Sequence, residues 1–159
     1  MKGSSMKTQF LISVICLLSV AMFAATPTDF SGTWEFNTEK SKNIGMMAQV
    51  KMSLTIRQSD AALDIAAHSK YQGKDQESKT HLDLTGDSAT NESPMGGPNK
   101  TVSKWDGNKL VTTWTGESAV SGKKIVRTET RSLSPDGKVM TVESVRAPNP
   151  SIVMVFEKK

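Results

Sequence analysis

A strict alternation of apolar and polar residues constrains the fold of this chain more than any other feature. In residues 50–57 (VKMSLTIR), Val50, Leu54 and Ile56 lie on one side and polar residues lie on the other. Because successive side chains of a strand point to opposite faces, this period of two indicates a strand with one buried face. Similar runs recur along the chain. They predict strands at 31–36, 50–57, from Leu63 onward, 77–84, 88–92, 101–105, 109–115, 123–133, 138–145 and 151–157.

The connections between these runs predict hairpins. Asp106-Gly107 and Asp136-Gly137 each lie between two β-prone runs, which is among the strongest short-range hairpin signals. Residues 94–98 (PMGGP) read as a loop, and residues 37–47 are the only helical candidate, which Gly45 limits to a turn or two. We therefore predict an all-β fold, an up-and-down antiparallel β-barrel of eight to ten strands with little or no helical lid.

The first 25 residues have the pattern of a secretory signal peptide. A basic start is followed by the largely apolar run 10–25, whose 16 residues fall short of the roughly 20 that span a bilayer. We predict cleavage after Ala24 or Ala25, and a single domain over residues 26–159; an uncleaved anchor is the alternative. Cys16 is the only cysteine and lies in this leader, so the mature chain would have no thiol chemistry. An exported chain without disulfides favours a bacterial periplasm or secretion.

Charge and motif content exclude several classes of function. Without the leader, 18 basic residues stand against 16 acidic ones, and no basic run is interleaved with aromatic residues. We therefore expect no nucleic-acid partner, no membrane span after cleavage, and a monomer. The chain has no G-x-S-x-G or phosphate-loop motif, so we expect no enzyme, no catalytic residue and no cofactor.

The two histidines are the remaining candidates for metal or haem chemistry. His68 and His81 lie on neighbouring predicted strands, where Asp64 and Asp83 share their face. A metal or haem site on this face would need further ligands or a closing pocket, and a barrel enzyme would need a histidine that points into a cavity. The preferred interpretation is an outward polar face without a metal.

The stretch Phe30-Ser-Gly-Thr-Trp34 indicates how such a barrel would be closed. Phe30, Gly32, Trp34 and Phe36 have the same parity and therefore face the same way. We predict that Trp34 plugs one end of the barrel, and that Gly32 allows the backbone to pack closely there.

This start is similar to the F-x-G-x-W start of the fatty-acid-binding-protein branch of the calycins, the lipocalin-like barrels. Three later segments resemble that family in the same order, and the chain also resembles small exported bacterial lipocalin-like domains of unassigned role. The three segments are 105–111 (WDGNKLV), 131–138 (RSLSPDGK) and 155–158 (VFEK). The resemblance implies a lipocalin-like barrel that binds a small lipophilic molecule noncovalently.

The chain also departs from the family. Residues 37–49 are too few for the family's helix-turn-helix lid. Arg131 matches one arginine of the family's carboxylate clamp, whereas Met154-Val155-Phe156 stands where the family has R-x-Y. The resemblance thus implies a lumenal ligand, with a changed head-group site.

The orientation of strand 123–133 decides the character of the lumen. If the face with Arg127, Glu129 and Arg131 points inward, the lumen is net positive and suits an anionic head group; otherwise the face with Val126 and Thr128 points inward. Trp105 either lines the lumen or caps its hairpin. The predicted ligand-binding residues are Arg131, Arg127, Trp114, Met154, Phe156 and Met52.

The alternative function is an envelope interaction module with a filled barrel. In that case the protein's own side chains, including its methionines, would fill the lumen. The molecule would then act through its outer surface or through the 93–99 loop, with no lumenal ligand.

Overall fold

The computed structural model describes residues 27–93, 97–118 and 120–159, except for the side chain of Ser93. The predicted signal peptide, residues 1–25, lies outside the described residues, as does Met95. The described chain forms ten strands and one short 3-10 helix, Gly45–Gln49. The strands are β1 (Gly32–Lys42), β2 (Lys51–Gln58), β3 (Ala62–Tyr71), β4 (Lys74–Asp83), β5 (Ser88–Ser93), β6 (Gly97–Asp106), β7 (Lys109–Glu117), β8 (Lys124–Leu133), β9 (Val139–Val145) and β10 (Ile152–Lys158).

All ten strands belong to one antiparallel sheet with up-and-down connectivity. Each strand pairs with its neighbour in sequence except β4 with β5, and β1 also pairs with β10, so the sheet curls into a nearly closed barrel. The registers place Trp34 opposite Leu54 and Phe36 opposite Phe156, so that within each pair two large apolar side chains lie at the same level of the interior. The predicted all-β barrel of eight to ten strands is confirmed.

A single seam, between β4 and β5, lacks ladder hydrogen bonds. There the buried side chain of Asn91 on β5 takes the place of a backbone partner. Its Oδ1 accepts from the His81 backbone N–H at 2.7 Å, and its Nδ2 donates to the His81 carbonyl at 2.8 Å. The same Nδ2 lies 3.1 Å from Thr101 Oγ1. One amide side chain therefore joins the two strand edges that the ladder leaves unpaired.

Two local predictions hold only in part. Residues 37–47 were the one helical candidate, limited to a turn or two; the structure has a single short 3-10 helix, Gly45–Gln49, because β1 continues to Lys42. Asn43 has a φ of 56°, which ends the strand abruptly, and Gly45, with a φ of 54°, begins the short helix. The predicted 94–98 loop was also too long, because β6 already begins at Gly97 and includes Pro98 at its start, where a missing N–H is tolerated.

The apolar core fills the end of the barrel at which β1 begins, called the closed end here. Trp34 is fully buried there, and its Nε1 donates to the Phe30 carbonyl at 2.9 Å. Phe30 stacks on Trp105 with ring centroids 6.1 Å apart, so Trp105 packs into this end. The buried apolar cluster consists of Phe30, Trp34, Phe36, Leu54, Ile56, Leu63, Ile65, Leu82, Leu110, Met140, Val142 and Phe156.

Gly32 lies where β10 crosses the closed end. Its φ of 132° is in a region that favours glycine, and a Cβ at this position would lie 2.8 Å from Lys158 Cε. Lys158 Nζ in turn lies 5.3 Å from the Trp34 ring centroid. Both ends of the described chain meet here, because Lys159 N donates to the Thr33 carbonyl at 2.9 Å and Thr28 Oγ1 donates to the Asn108 carbonyl at 2.7 Å.

Candidate functional site

Strand β8 turns its charged face toward the inside of the barrel. Glu129 and Arg131 are buried, with exposed fractions of 8% and 5%, whereas Val126 on the other face is 48% exposed. Arg127 shares the inner face by parity and lies opposite Trp114 of β7. The alternative left open by the sequence is thereby resolved in favour of an inward, charged face.

A cavity of about 620 Å³ occupies the end of the barrel opposite Trp34, called the open end here. On β7 and β8 its lining extends down to Trp114 and Arg127 and no further. The residues above them at the rim include Ser118 and Val120 of the β7–β8 connection and Asn149 and Pro150 of the β9–β10 connection. The strand residues that line it are Ser78, Thr80, Glu92, Asn99, Trp114, Gly116, Glu117, Ile125, Arg127, Ser144 and Ile152.

Arg127 and Trp114 form one layer at the bottom of this cavity. The Arg127 guanidinium carbon lies 4.5 Å from the Trp114 ring centroid, a cation–π contact. Arg127 Nη2 also lies 3.3 Å from Glu129 Oε1, so the arginine bridges the exposed cavity and the buried carboxylate. Because the Arg127 side chain is 41% exposed and that of Glu129 only 10%, the ion pair spans the boundary between cavity and interior.

Arg131 lies below this layer, in the interior. Burial lowers the pKa of its guanidinium, and the nearby Glu129 carboxylate partly opposes that shift. Among the described residues, four buried N–H atoms on β7 and β8 have no hydrogen-bond partner: Trp114 Nε1, Arg127 Nε, and Arg131 Nε and Nη1. Since buried donors are nearly always paired in folded proteins, this cluster suits a ligand that brings acceptors and negative charge.

The inner wall of the barrel has two chemically different sides. All buried polar and charged residues of the described ranges lie on β5 to β8, and the buried residues of β10 and β1 to β4 are all apolar. On the polar side, Ser103 Oγ and Thr112 Oγ1 lie 2.9 Å apart, and Thr112 lies opposite Glu129. The buried polar residues are Asn91, Thr101, Ser103, Thr112, Glu129 and Arg131.

Sequence reasoning missed the neutral members of this polar side. Thr112 has the same parity as Leu110 and Trp114, so its inward direction was readable from the β7 alternation. Asn91 gave no such signal, because its role depends on which strand edge remains unpaired in three dimensions.

The predicted ligand-binding residues divide into two groups. Trp114 and Arg127 line the cavity. Arg131 lies beneath it, Phe156 packs on Phe36 with ring centroids 5.3 Å apart, and the partly buried Met52 and Met154 pack against the core cluster. The structure thus brings two of the six to the cavity surface and places the other four in the packed interior.

The histidines lie on the outer side of the barrel wall and do not meet. His81 Nδ1 lies 2.7 Å from Asp64 Oδ1, and His68 Nε2 lies 3.3 Å from Asp75 Oδ1, with all four side chains more than half exposed. The His81–Asp64 pair borders a wide groove of about 910 Å³ along β2 to β5. Within residues 27–93, 97–118 and 120–159, no group of three His, Cys, Asp or Glu side chains could hold a metal ion.

Solved structures share this architecture. The chain is similar to the REP1-NXSQ fatty acid transporter, with a TM-score of 0.63 at 13% identity, covering 82% of this chain and 96% of that one. It is similar to lipid binding protein 8 of Caenorhabditis elegans, with a TM-score of 0.63 at 11% identity and coverage of 82% and 95%. It is also similar to secretory abundant heat soluble protein 4 of Ramazzottius varieornatus, with a TM-score of 0.56 at 15% identity and coverage of 85% and 99%.

These similarities define the class of fold. The chain has a calycin-type barrel of the kind found in fatty-acid-binding proteins, so the resemblance noted in the sequence is confirmed at the level of fold. No family model matches the sequence, and no curated protein matches it. Within the described part of the chain, no helix is both long enough and apolar enough to cross a membrane.

Proposed function

We propose that this protein binds a small lipophilic molecule with an anionic head group in the open half of its barrel, outside the cytoplasm. The observation that carries the proposal is a cavity of about 620 Å³ whose bottom layer, Arg127 and Trp114, contributes two unpartnered buried donors and overlies two more on Arg131. Pockets for small molecules usually measure about 300 to 1,000 Å³, so the cavity has a suitable size.

The head-group part of the proposal rests on charge. A buried guanidinium without a partner costs several kcal/mol, and an anion beside it would offset that cost. Arg131 is 5% exposed, and the one nearby carboxylate, Glu129, pairs with Arg127 and also acts on Arg131, so one positive charge of the two arginines is left uncompensated. A carboxylate or a phosphate is the group that two neighbouring guanidinium N–H donors bind best.

The lipophilic part of the proposal rests on the cavity wall and on the similar solved structures. Trp114, Ile125, Ile152, Val120 and Pro150 supply apolar surface around the cavity. Burial of an apolar ligand against them would contribute roughly 25 cal/mol per Å². Two of the similar structures are named as a fatty acid transporter and a lipid binding protein, which supports a lipophilic ligand at this site.

Export is proposed from the sequence pattern of residues 1–25. Cleavage there would release a chain that lacks cysteine, which is compatible with an oxidising compartment. The protein would then act in a bacterial periplasm or in the medium.

The direct test is mass spectrometry of the full-length gene product purified from cells, first under native and then under denaturing conditions. We expect the denatured mass to correspond to cleavage near Ala24 or Ala25, and the native mass to exceed it by that of a small molecule. Uptake of a fluorescent lipophilic probe would support the same site. Absence of both retained mass and probe uptake would contradict ligand binding.

Replacement of Arg131 tests the head-group site. We expect Arg131→Met to weaken binding of a fatty-acid carboxylate at least tenfold, because the uncompensated charge is lost. The same change should leave the unfolding free energy unchanged or raise it by about 1 to 4 kcal/mol, because a buried charge is replaced by an apolar side chain. Isothermal titration and urea unfolding measure the two effects, and the exposed Arg57→Met serves as the control.

A surface-acting module is the second candidate, and the closed half favours it. Trp34, Leu54, Phe36 and Phe156 fill that half in the manner of a core that binds nothing. The third similar structure is named for its heat solubility, with no ligand in its name. A protein of this kind would carry no retained molecule and would be unaffected in its binding activity by Arg131→Met.

A further inference from the structure

We propose that Glu129 is a charge-selectivity determinant of the lumen, which limits the ligand to a head group with a single negative charge. This inference rests on the proposed function, since it concerns the same cavity and its donors. The resemblance to fatty-acid-binding proteins assigns no role to this position.

The charges on the inner face of β8 add up to one net positive charge. Arg127 and Arg131 contribute two cations, and Glu129 contributes one anion that lies 3.3 Å from Arg127 Nη2. The other charged residues that border the cavity, Glu92, Glu117 and Arg146, are exposed to solvent, which screens them. A bound monoanion would therefore complete the neutralisation of the interior, whereas a dianion would leave one negative charge in excess.

Glu129 is placed to act on an anion anywhere along this face. It lies two residues from Arg127 and two from Arg131, which corresponds to about 6.6 Å along a strand. The unpartnered donors belong to Arg127, Arg131 and Trp114, the residue opposite Arg127. Because the Glu129 side chain is only 10% exposed, its repulsion of a ligand anion is weakly screened. The repulsion doubles for a second charge, and so does the attraction of the two arginines, so the net charge of the face determines how the affinities of a monoanion and a dianion compare.

Among the described residues, Glu129 makes one ion pair, the one with Arg127. Thr112 lies opposite it, but the Thr112 hydroxyl is 2.9 Å from Ser103 Oγ. If Glu129 only filled space in the interior, its replacement would change the affinity for ligands of every charge by the same factor. A glutamate that sets the charge balance would change the ranking of ligands with equal chains and different heads, and this difference is measurable.

The experiment compares dodecanoate, dodecyl phosphate and dodecanol at pH 7.5, where a phosphate monoester is mostly dianionic because its second pKa is about 6. Isothermal titration gives the affinity of each for the wild type and three full-length variants. Glu129→Gln raises the net charge of the inner β8 face to two, Arg127→Gln lowers it to zero, and the double variant returns it to one.

We expect the wild type to prefer dodecanoate to dodecyl phosphate. In Glu129→Gln the ratio of the two affinities should move at least tenfold toward the phosphate, and in Arg127→Gln it should move at least threefold away from it. The double variant should return to the wild-type ratio. Dodecanol binding reports the loss of contacts unrelated to charge, and circular dichroism reports whether each variant is folded.

The two proposals fail in different ways. If the wild type binds none of the three molecules, both the proposed function and the selectivity are contradicted. If it binds them and the phosphate-to-carboxylate ratio stays constant in Glu129→Gln and Arg127→Gln, only the selectivity is overturned. If Glu129→Gln does not fold, the opposite shift expected in Arg127→Gln still decides the question.

Discussion

The closed and open halves of this barrel are built from the same ten strands, yet they use their interior in opposite ways. The closed half buries Trp34, Leu63, Leu82 and Met140 completely, with Phe30 stacked beneath Trp105. The open half keeps a cavity of about 620 Å³ above Arg127 and Trp114. The difference teaches that packing and open space are separated along one lumen, so that substitutions beside the cavity should affect stability less than substitutions in the closed half.

Removal of the Trp34 ring, which fills the closed end, should have the largest effect on the free energy of unfolding. We expect Trp34→Ala to lower the unfolding free energy by about 3 to 5 kcal/mol, because it removes a fully buried ring and leaves a cavity. The matched change in the open half, Ile152→Ala, should cost less than about 2 kcal/mol, because this side chain is only partly buried beside the cavity. Urea unfolding measures both. Equal losses in the two variants would contradict the division of the lumen into a packed half and a half with a cavity.

The seam between β4 and β5 should give the next largest effect. We expect Asn91→Ala to lower the unfolding free energy by about 1 to 3 kcal/mol, because the His81 N–H and carbonyl lose their partner. Amide hydrogen exchange at His81 should accelerate, while exchange in the laddered β1–β2 pair should not. The neighbouring, exposed Thr90→Ala is the control. Unchanged exchange at His81 would show that the seam is held by something other than this amide.

The smallest effect is expected at a closed-end turn and depends on pH. The Asp136 carboxylate accepts from Ser134 Oγ at 2.6 Å and from the Lys138 N–H at 3.1 Å, and these bonds hold its pKa below the ordinary value of 3.8. A lowered pKa in the folded state stabilises the fold above 3.8 and loses that contribution as pH falls through the folded value. The stability difference between wild type and Asp136→Asn should therefore be constant near pH 7 and shrink at lower pH. A difference that does not vary down to pH 2 would exclude this linkage.

Much of the fold could be predicted from local patterns because strands and tight turns are local. The alternation in residues 50–57 and the Asp-Gly pair at 106–107 each depend on a few neighbouring side chains, and both predictions agree with β2 and with the β6–β7 hairpin. The helical candidate at 37–47 shrank to the 3-10 helix Gly45–Gln49 because the pairing of β1 with β10 extends the strand to Lys42, a long-range contact that no local pattern contains.

The site was harder to predict, because it depends on which face of each strand points inward and on how deep in the lumen each side chain lies. Both faces of residues 123–133 could have pointed inward by composition, and only burial in three dimensions shows that Arg131 and Glu129 do. Phe156 and Met52 were predicted in a ligand pocket; Phe156 is buried in the apolar cluster and the partly buried Met52 packs against it, since the depth at which side chains stop filling a barrel is a collective property. Asn91 could not be anticipated at all, because its role exists only where β4 fails to pair with β5.

The meeting of both described chain ends at the closed end has a practical consequence for handling this molecule. Thr28 contacts Asn108, and Lys159 pairs with Thr33, so both described chain ends lie on the side away from the cavity. A biosensor surface coupled through either end would hold the barrel upright with its mouth facing the flow. A fusion at Lys159 would likewise leave the mouth of the cavity unobstructed.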